Sequence, residues 1–473
     1  MELKKYKLSE IIETFIPGDW GEESFSSESP HAVRCVRGAD IVPIWNSDYN
    51  HIPIRYISNR SFANKQLKVG DIIIEKSGGS PTQSTGRTAF VSEELISNAT
   101  NLVCTNFCTA FRIKPGWNPK YVYYYLQHLY NNDVFFNFEG KTSGLKNLQI
   151  ENAFDKATIT QIPIEKQNQI VEVLDTLDRK IALNRAINRN LEALAKQLYD
   201  YWFVQFDFPD ENGWPYKSSG GKMVWNEKLK REIPVGWEVK TIYDVAEVYN
   251  GATPSTTDEQ NYGGDVVWIT PKDLSNQQQK FVYQGERNIS KDGYDSCSTH
   301  LLPPNTILMS SRAPIGLLAI AKAELCTNQG FKNFVPKNAN VSTYLYYYIQ
   351  THIKQIEQLG TGTTFKEVSR DDILKFLILK PSDEILNLWE AMIIAVNEKQ
   401  LEIQKENENL TMQRDELLPL LMNGQITVNS DFHDKPFVRM GLCPQWALLH
   451  HHRHCRPQKV VRRCPSLRYF VSA

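Results

Sequence analysis

The fold of this chain is decided by a stretch that reads CTN at residues 104–106 and, after a short gap, YVYYYL at residues 121–126. The same two strings return in the same order, and at nearly the same spacing, as CTN at 326–328 and YLYYYI at 344–349. A single three-residue match could arise by chance, but two linked matches indicate an internal duplication.

Further correspondences lie on both sides of this stretch. Upstream, residues 67–74 and 302–309 each join a turn to an apolar, strand-like run. Downstream, Lys146 and Lys366 each follow a loop of Gly, Ser and Thr residues and precede another apolar run. Because these matches keep their order, we expect two homologous domains rather than a solenoid, which needs about three or more units.

Each copy has the same internal order. Short runs rich in Val, Ile, Tyr and Thr, such as residues 71–74 and 266–270, are broken by Gly, Pro and Asn and predict strands. A long helical segment then closes each copy, at about residues 165–201 and 383–422. Each helix is roughly 50 Å long, which is too long for the small domain beside it to bury. We therefore expect the helices to pair as an antiparallel coiled coil, in an elongated molecule with pseudo-twofold symmetry.

The seam of this helix pair follows from the apolar spacing, which runs in three-, four- and seven-residue steps as in a coiled coil. The predicted seam consists of Ile170, Leu174, Leu177, Ile181, Leu191 and Leu198 in the first helix and Trp389, Val396, Ile403, Leu410 and Leu417 in the second. Polar residues interrupt or flank it, namely Asn184, Asn188, Lys399, Glu406 and Gln413. Such residues either fix the register of the pair or face solvent, and the sequence leaves both interpretations open.

The predicted fold is therefore α+β, with two homologous mixed α/β domains that are each followed by a long helix. The expected boundaries are a first domain at 1–164, a central helix at 165–205, a linker at 206–232, a second domain at 233–381 and a C-terminal helix at 382–424. Residues 430–473 fit neither copy. They hold 8 basic against 2 acidic residues and five of the ten histidines, and we expect them to form a disordered extension.

Composition excludes several classes of protein. Hydrophobic residues make up 41% and charged residues 23% of the chain, as in a globular protein. The 53 Lys and Arg residues are balanced by 54 Asp and Glu, which argues against a polybasic binder that holds nucleic acid by bulk charge. No apolar run approaches the ~20 residues that span a bilayer, and no signal peptide is evident. The eight cysteines form no CxxC pair, so we expect a cytoplasmic protein without a metal site.

Catalytic motifs are not found in the sequence. The string at 302–305, LPPN, lacks the end residues of an amino-methyltransferase tetrad, and Gly140-Lys141-Thr142 lacks the earlier glycine of a phosphate loop because Phe135 stands there. Asp210 with Glu238 and Lys240 fits a nuclease pattern only superficially. No Gly-x-Ser-x-Gly elbow or HExxH helix occurs. We therefore expect no catalytic residue, and a recognition or scaffolding subunit rather than an enzyme.

Several strings together resemble the specificity subunit of Type I restriction–modification systems. They are IPVGWE at 233–238, NGATPS at 250–255, WITPKDL at 268–274, CTNQGF at 326–331, QIPIEKQ at 161–167 and DELLPLLMNGQI at 415–426. None of them is decisive alone, but together and in duplicate they are highly specific. The resemblance covers about residues 1–429.

The resemblance implies that each domain is a target-recognition domain that reads one half of a split, asymmetric site in double-stranded DNA. The paired helices would set the unspecified spacer and dock two modification (methyltransferase) subunits. Those partners would bind S-adenosylmethionine and methylate adenine, so this chain needs no cofactor of its own. A restriction and translocation subunit is a further partner that the resemblance allows. Two alternatives stay open at this point: a self-sufficient methyltransferase or nuclease, and a helical scaffold that binds protein.

Candidate DNA contacts lie in the glycine-rich loops, since hydroxyls, amides and cations read bases and hold phosphates. In the first domain they are Lys76, Ser77, Thr82, Gln83, Ser84, Thr85, Arg87, Lys141, Thr142 and Lys146; in the second they are Ser310, Ser311, Arg312, Thr361, Thr363, Thr364 and Lys366. An ordinary surface loop remains an alternative for each of them. The tyrosine clusters invite a base-stacking role, but their apolar neighbours predict core positions. Residues 1–164 hold 17 basic and 17 acidic side chains, so tight DNA binding should need the modification subunits.

Overall fold

The computed structural model describes residues 4–79, 83–142, 145–277, 279–312, 314–361, 366–428 and 438–439. The chain divides into two compact units, the first made of residues 1–185 together with 406 onward, and the second of residues 186–405. Apart from 438–439, the predicted extension at 430–473 lies outside the described residues. Within the part of the chain that the structure describes, no helix is long and apolar enough to cross a membrane.

The first unit is built on short strands. They are β1 (Lys5–Lys7), β2 (Ile12–Pro17), β3 (His31–Val36), β4 (Ile54–Ile57), β5 (Ile72–Glu75), β6 (Ser77–Gly78), β7 (Thr88–Phe90), β8 (Leu102–Cys104), β9 (Cys108–Ile113), β10 (Glu139–Thr142), β11 (Leu145–Leu148) and β12 (Thr158–Thr160). The main sheet has the order β2-β9-β5-β7, and smaller sheets have the orders β4-β3-β8, β10-β11-β6 and β1-β12.

The helices of the first unit pack on this framework. They are α1 (Ile41–Trp45), α2 (Asn59–Lys65), α3 (Glu93–Asn98), α4 (Pro119–Asn131), α5 (Ile150–Lys156) and the first part of α6 (Ile164–Tyr199). The tyrosine-rich α4 begins where the Asn118 side chain accepts hydrogen bonds from the backbone of Lys120 and Tyr121. Tyr121 and Tyr124 are buried in the core of the unit, so the prediction that these tyrosines are core residues is confirmed.

The second unit repeats this plan. Its strands are β13 (Met223–Asn226), β14 (Arg231–Pro234), β15 (Glu238–Thr241), β16 (Ala246–Asn250), β17 (Tyr262–Val266), β18 (Trp268–Ile269), β19 (Phe281–Val282), β20 (Ile307–Ser310), β21 (Leu318–Ala321), β22 (Cys326–Thr327), β23 (Phe331–Pro336) and β24 (Leu377–Lys380). The helices are α7 (Ile242–Val245), α8 (Pro271–Gln277), α9 (Lys291–Asp295), α10 (Ser342–Thr351), α11 (Ile353–Gln358), α12 (Arg370–Lys375) and the first part of α13 (Asp383–Met422). Two short strands follow, β25 (Thr427–Val428) and β26 (Val438–Arg439).

The sheet topology shows the duplication directly. The order β16-β23-β20-β21 in the second unit corresponds to β2-β9-β5-β7 in the first, and β19 adds a fifth strand. In each unit the strand that includes the cysteine of the CTN motif pairs in parallel with an earlier strand. These pairs are β8 with β3 and β22 with β18. The terminal pairs β1-β12 and β15-β24 are both antiparallel. The predicted α+β class, with two homologous domains that are each followed by a long helix, is thereby confirmed.

The two long helices run in opposite directions within each unit. In the first unit Asp178 of α6 pairs with Arg414 of α13 at 3.1 Å, and Asn184 donates to Glu406 at 2.7 Å. In the second unit Asn188 and Gln400 are hydrogen-bonded, with the Asn188 amide 3.3 Å from the Gln400 carbonyl oxygen. Because the residue numbers rise on one helix while they fall on the other, the pairing is antiparallel. Helix α6 ends in one π-helical turn at Asp200–Val204.

The residues predicted to form the seam of the helix pair differ in how deeply they are buried. Ile170, Leu174, Ile181, Trp389 and Ile403 are buried, whereas Leu177, Leu191, Leu198, Val396, Leu410 and Leu417 are half-buried. The middle of the pair is polar, since Asn184, Gln400, Gln404 and Asn407 are also buried. Asn184 therefore does not face solvent. Trp389 packs edge-on against Phe203 at 5.1 Å in the core of the second unit.

Candidate nucleic-acid interface

The two loops predicted to touch DNA in the first unit meet in one small sheet. Strand β6 pairs with β11 so that Gly78 lies opposite Lys146 and Ser77 opposite Asn147. Strand β11 also pairs with β10, and the Leu148 amide donates to the Lys76 carbonyl oxygen at 2.8 Å. Segments that are far apart in the sequence thus form a continuous surface.

Arg87 is held from inside this surface by a carboxylate. Its guanidinium donates two hydrogen bonds to Glu75, at 2.8 and 2.7 Å. The side chains are 11% and 3% exposed, so the pair is nearly buried. Burial disfavours the charge of Arg87, but the hydrogen bonds and the charge of Glu75 outweigh this effect and raise the pKa of Arg87. Arg87 therefore shapes the loop instead of offering a free cation.

Lys146 is held in a similar way by Glu139. The Lys146 ammonium lies 3.4 Å from the Glu139 carboxylate and donates to the Gln83 carbonyl oxygen at 3.1 Å. Glu139 also accepts hydrogen bonds from the Thr85 amide and hydroxyl, at 2.6 and 3.0 Å. Thr85 is fully buried, so its side chain fixes the loop and does not reach the surface.

The remaining predicted residues of the first unit differ in exposure. Lys76 is exposed, whereas Ser77, Gln83 and Ser84 are half-buried. Thr82 lies outside the described residues, and Lys141 and Thr142 are described only as backbone of β10.

The second unit brings its two predicted loops together in the same way. Thr361 and Glu367 exchange backbone hydrogen bonds of 3.1 and 3.0 Å, and Arg312 forms an isolated antiparallel β-bridge with Glu367. The Val368 amide donates to the Ser311 carbonyl oxygen at 3.0 Å. Thr361 and Lys366 are exposed and Arg312 is half-buried. Thr363 and Thr364 lie outside the described residues.

The hydroxyls of Ser310 and Ser311 do not lie on this surface. Both residues are fully buried, and their hydroxyls donate to the carbonyl oxygens of Pro314 at 2.6 Å and Gly330 at 3.2 Å. The prediction that these hydroxyls contact DNA is therefore wrong, because both are buried and already hydrogen-bonded within the protein. Serines at the end of a buried strand satisfy nearby carbonyl groups, because an unpaired carbonyl in the interior is costly.

Sequence reasoning missed the acidic residues that hold the loops. Glu75 and Glu139 clamp the first unit, and Glu367 pairs with Lys332 at 3.2 Å in the second. Glu139 and Lys146 are seven residues apart, Glu75 and Arg87 twelve, and Lys332 and Glu367 thirty-five, and none of these spacings is a periodic pattern that the sequence reveals. A carboxylate directly after the apolar run 72–74 was the one visible signal.

Exposed aromatic residues beside the first loop were also missed. Trp20 and Phe107 are 46% and 45% exposed and meet edge to face, with ring centroids 5.3 Å apart. The Phe107 carbonyl oxygen accepts hydrogen bonds from the amides of Lys76 and Ser77, at 2.8 and 3.0 Å. The aromatic pair therefore adjoins the exposed Lys76.

Two homologous domains, each with a loop pair rich in hydroxyl, amide and cationic groups, define a class of two-domain recognition proteins. A family model described as "Type I restriction modification DNA specificity domain" matches this chain twice, at residues 36–193 and 234–412. Since these matches cover most of the chain, it belongs to the specificity-subunit family of Type I restriction–modification systems.

Individual relatives agree with this assignment. The Type I restriction enzyme MjaIX specificity subunit of Methanocaldococcus jannaschii is 43% identical over 169 residues, which are 34% of this chain and 39% of that protein. The HindI specificity subunit of Haemophilus influenzae is 26% identical over 436 residues, covering 81% of this chain and 92% of that protein. The crystal structure of a Type I S subunit from M. genitalium has a similar fold, with a TM-score of 0.51 at 14% identity over 89% of this chain and 96% of that one.

Proposed function

We propose that each unit reads one block of a bipartite, asymmetric site in double-stranded DNA, with the paired helices setting the gap between the blocks. One observation carries this proposal. In both units, two loops that were predicted separately from the sequence lie side by side on a surface. The exposed side chains on these surfaces include Lys76, Thr361 and Lys366. Cations, hydroxyls and backbone amides are the kinds of group that contact phosphates and base edges in protein–DNA complexes.

We further propose that this chain does no chemistry and that two modification subunits dock on its helix pair. Those subunits would bind S-adenosylmethionine and methylate adenine, and a restriction and translocation subunit would join for cleavage. The charge supports a need for partners, since residues 1–429 hold 45 basic against 52 acidic side chains. Affinity for DNA rises with the number of phosphates that cations neutralise, so this chain contributes sequence selection more than strength of binding.

Sequencing of methylated adenines in a host that carries this chain with its cognate modification subunit tests the proposal. The expected result is one motif of two short blocks around a fixed gap. Strains with either protein alone serve as controls and should show no such motif. Methylation by this chain alone would mean that it is an enzyme, and a motif independent of this chain would favour a scaffold.

A further inference from the structure

The two units build the same small surface with different side chains. In the first unit the chain leaves β2 through Gly18 and reaches Trp20, which lies against Phe107. In the second it leaves β16 through Gly251 and reaches Thr253, whose hydroxyl is hydrogen-bonded to the Gln329 side chain. Phe107 and Gln329 each come directly after a CTN motif.

Close backbone approach fixes this geometry in both units. A Cβ atom on Gly18 would lie 2.0 Å from the Thr105 carbonyl oxygen, and one on Gly251 would lie 2.1 Å from the Asn328 carbonyl oxygen. Such distances leave room only for hydrogen, so each glycine lets its segment press against the CTN turn. The residue two positions later is thereby placed beside the residue that follows CTN.

The surface adjoins the proposed DNA-binding loops in each unit. The Phe107 carbonyl oxygen binds the amides of Lys76 and Ser77, and the Ser311 amide donates to the carbonyl oxygen of Gly330 at 2.8 Å. Gly330 follows Gln329, which is exposed, and Thr253 is half-buried. Equivalent positions beside equivalent loops thus carry an aromatic pair in one unit and a hydroxyl–amide pair in the other.

We propose that these two pairs are specificity-determining residues, an inference that rests on the proposed function. Two copies of one scaffold that read different blocks must differ where they meet the bases. Trp20 and Phe107 offer an apolar contact for the methyl group of thymine, and Gln329 offers an amide that matches the hydrogen-bonding edge of adenine. Thr253 is a positioning residue that orients the Gln329 amide.

Four variants test the assignment with adenine-methylation sequencing in the presence of the modification subunit. Phe107→Ala should lose about tenfold discrimination at one base of the first block, while the second block and the gap stay unchanged. Gln329→Glu should change one base of the second block, from adenine towards cytosine, because a carboxylate accepts a hydrogen bond from cytosine. Phe25→Ala and Gln355→Ala, at exposed positions in the same two units, are the matched controls and should leave the motif intact.

Unchanged recognition of the other block shows that a variant protein is folded and assembled with the modification subunit. The assignment is overturned if Phe107→Ala and Gln329→Glu both retain the unaltered motif, or if each changes the block of the other unit. If a variant methylates nothing, binding of the purified complex with the modification subunit to duplexes that differ at single bases of the known motif gives the same comparison. A parent chain that directs no bipartite motif at all would instead refute the proposed function.

Discussion

The two units attach their tyrosine helices to the long helices with different chemistry. In the first unit Tyr124 of α4 donates to Asp178 at 2.7 Å, and the other oxygen of that carboxylate accepts from Arg414 at 3.1 Å. In the second, Tyr347 of α10 donates to Glu192 at 3.2 Å. There Lys280, which comes from the recognition domain itself, adds hydrogen bonds to Glu192, Tyr347, Asn397 and Gln400 at 3.0, 2.6, 2.9 and 3.2 Å.

The difference lies in where the cation originates and how deeply it is buried. Arg414 belongs to a long helix and is 30% exposed, whereas the Lys280 side chain is 8% exposed. Burial lowers the pKa of Lys280, and Glu192 opposes that shift. One buried ammonium thus joins the second recognition domain to both long helices, while the first domain depends on a partly hydrated pair. We therefore expect the second attachment to be more sensitive to loss of its cation.

The largest effect is expected for Lys280→Met, which removes the ammonium that donates to Glu192, Tyr347, Asn397 and Gln400, although Glu192 keeps its hydrogen bond from Tyr347. Losing one partner of a buried pair costs about 3–5 kcal/mol, and we expect about 2–3 kcal/mol here because the Glu192 side chain is 31% exposed. Denaturant unfolding together with hydrogen exchange of α10 measures the loss. Lys291→Met, at an exposed position of the same unit, is the control, and equal behaviour of the two variants would contradict the comparison.

A smaller effect is expected for Asp178→Asn in the first unit. The amide keeps one acceptor for Tyr124 or Arg414 but loses the charge, and Arg414 retains its second partner, Asp415, at 2.8 Å. We expect a loss of about 1 kcal/mol in the free energy of unfolding, seen as faster hydrogen exchange in α4. Glu172→Gln on the same helix, at an exposed position, should be neutral. A loss as large as that of Lys280→Met would mean that the two attachments are equivalent.

The smallest effect is expected for Asn184→Leu in the polar middle of the helix pair. Glu406 is 43% exposed, so water can replace the lost hydrogen bond, and the leucine adds apolar burial. The free energy of unfolding should change by less than about 1 kcal/mol. Thermal unfolding beside Leu183→Asn, an exposed neighbour, gives the reference. Severe destabilisation would show that this asparagine fixes the helix register as firmly as the attachments hold the domains.

Sequence patterns predicted the duplicated fold because strands, long helices and the CTN and tyrosine strings are local signals. The loops proposed to contact DNA were also selected by composition, but the roles of their side chains were not predicted. Thr85, Ser310 and Ser311 look like surface hydroxyls in the sequence and are buried by contacts with distant segments. The role of Lys280 could not be predicted, because a lysine in a loop belongs to no periodic pattern. Its partners come from the long helices α6 and α13 and from α10.

The core of the first unit contains residues from the far end of the chain. Leu418, Leu421, Met422 and Ile426 pack with Leu8, Tyr121 and their neighbours, whereas every residue of the second unit lies between 186 and 405. During synthesis the second unit therefore has all of its residues before the first one does. The first domain therefore cannot complete its core until residues 418–426 have been synthesised, whereas the second domain needs no residue beyond 405.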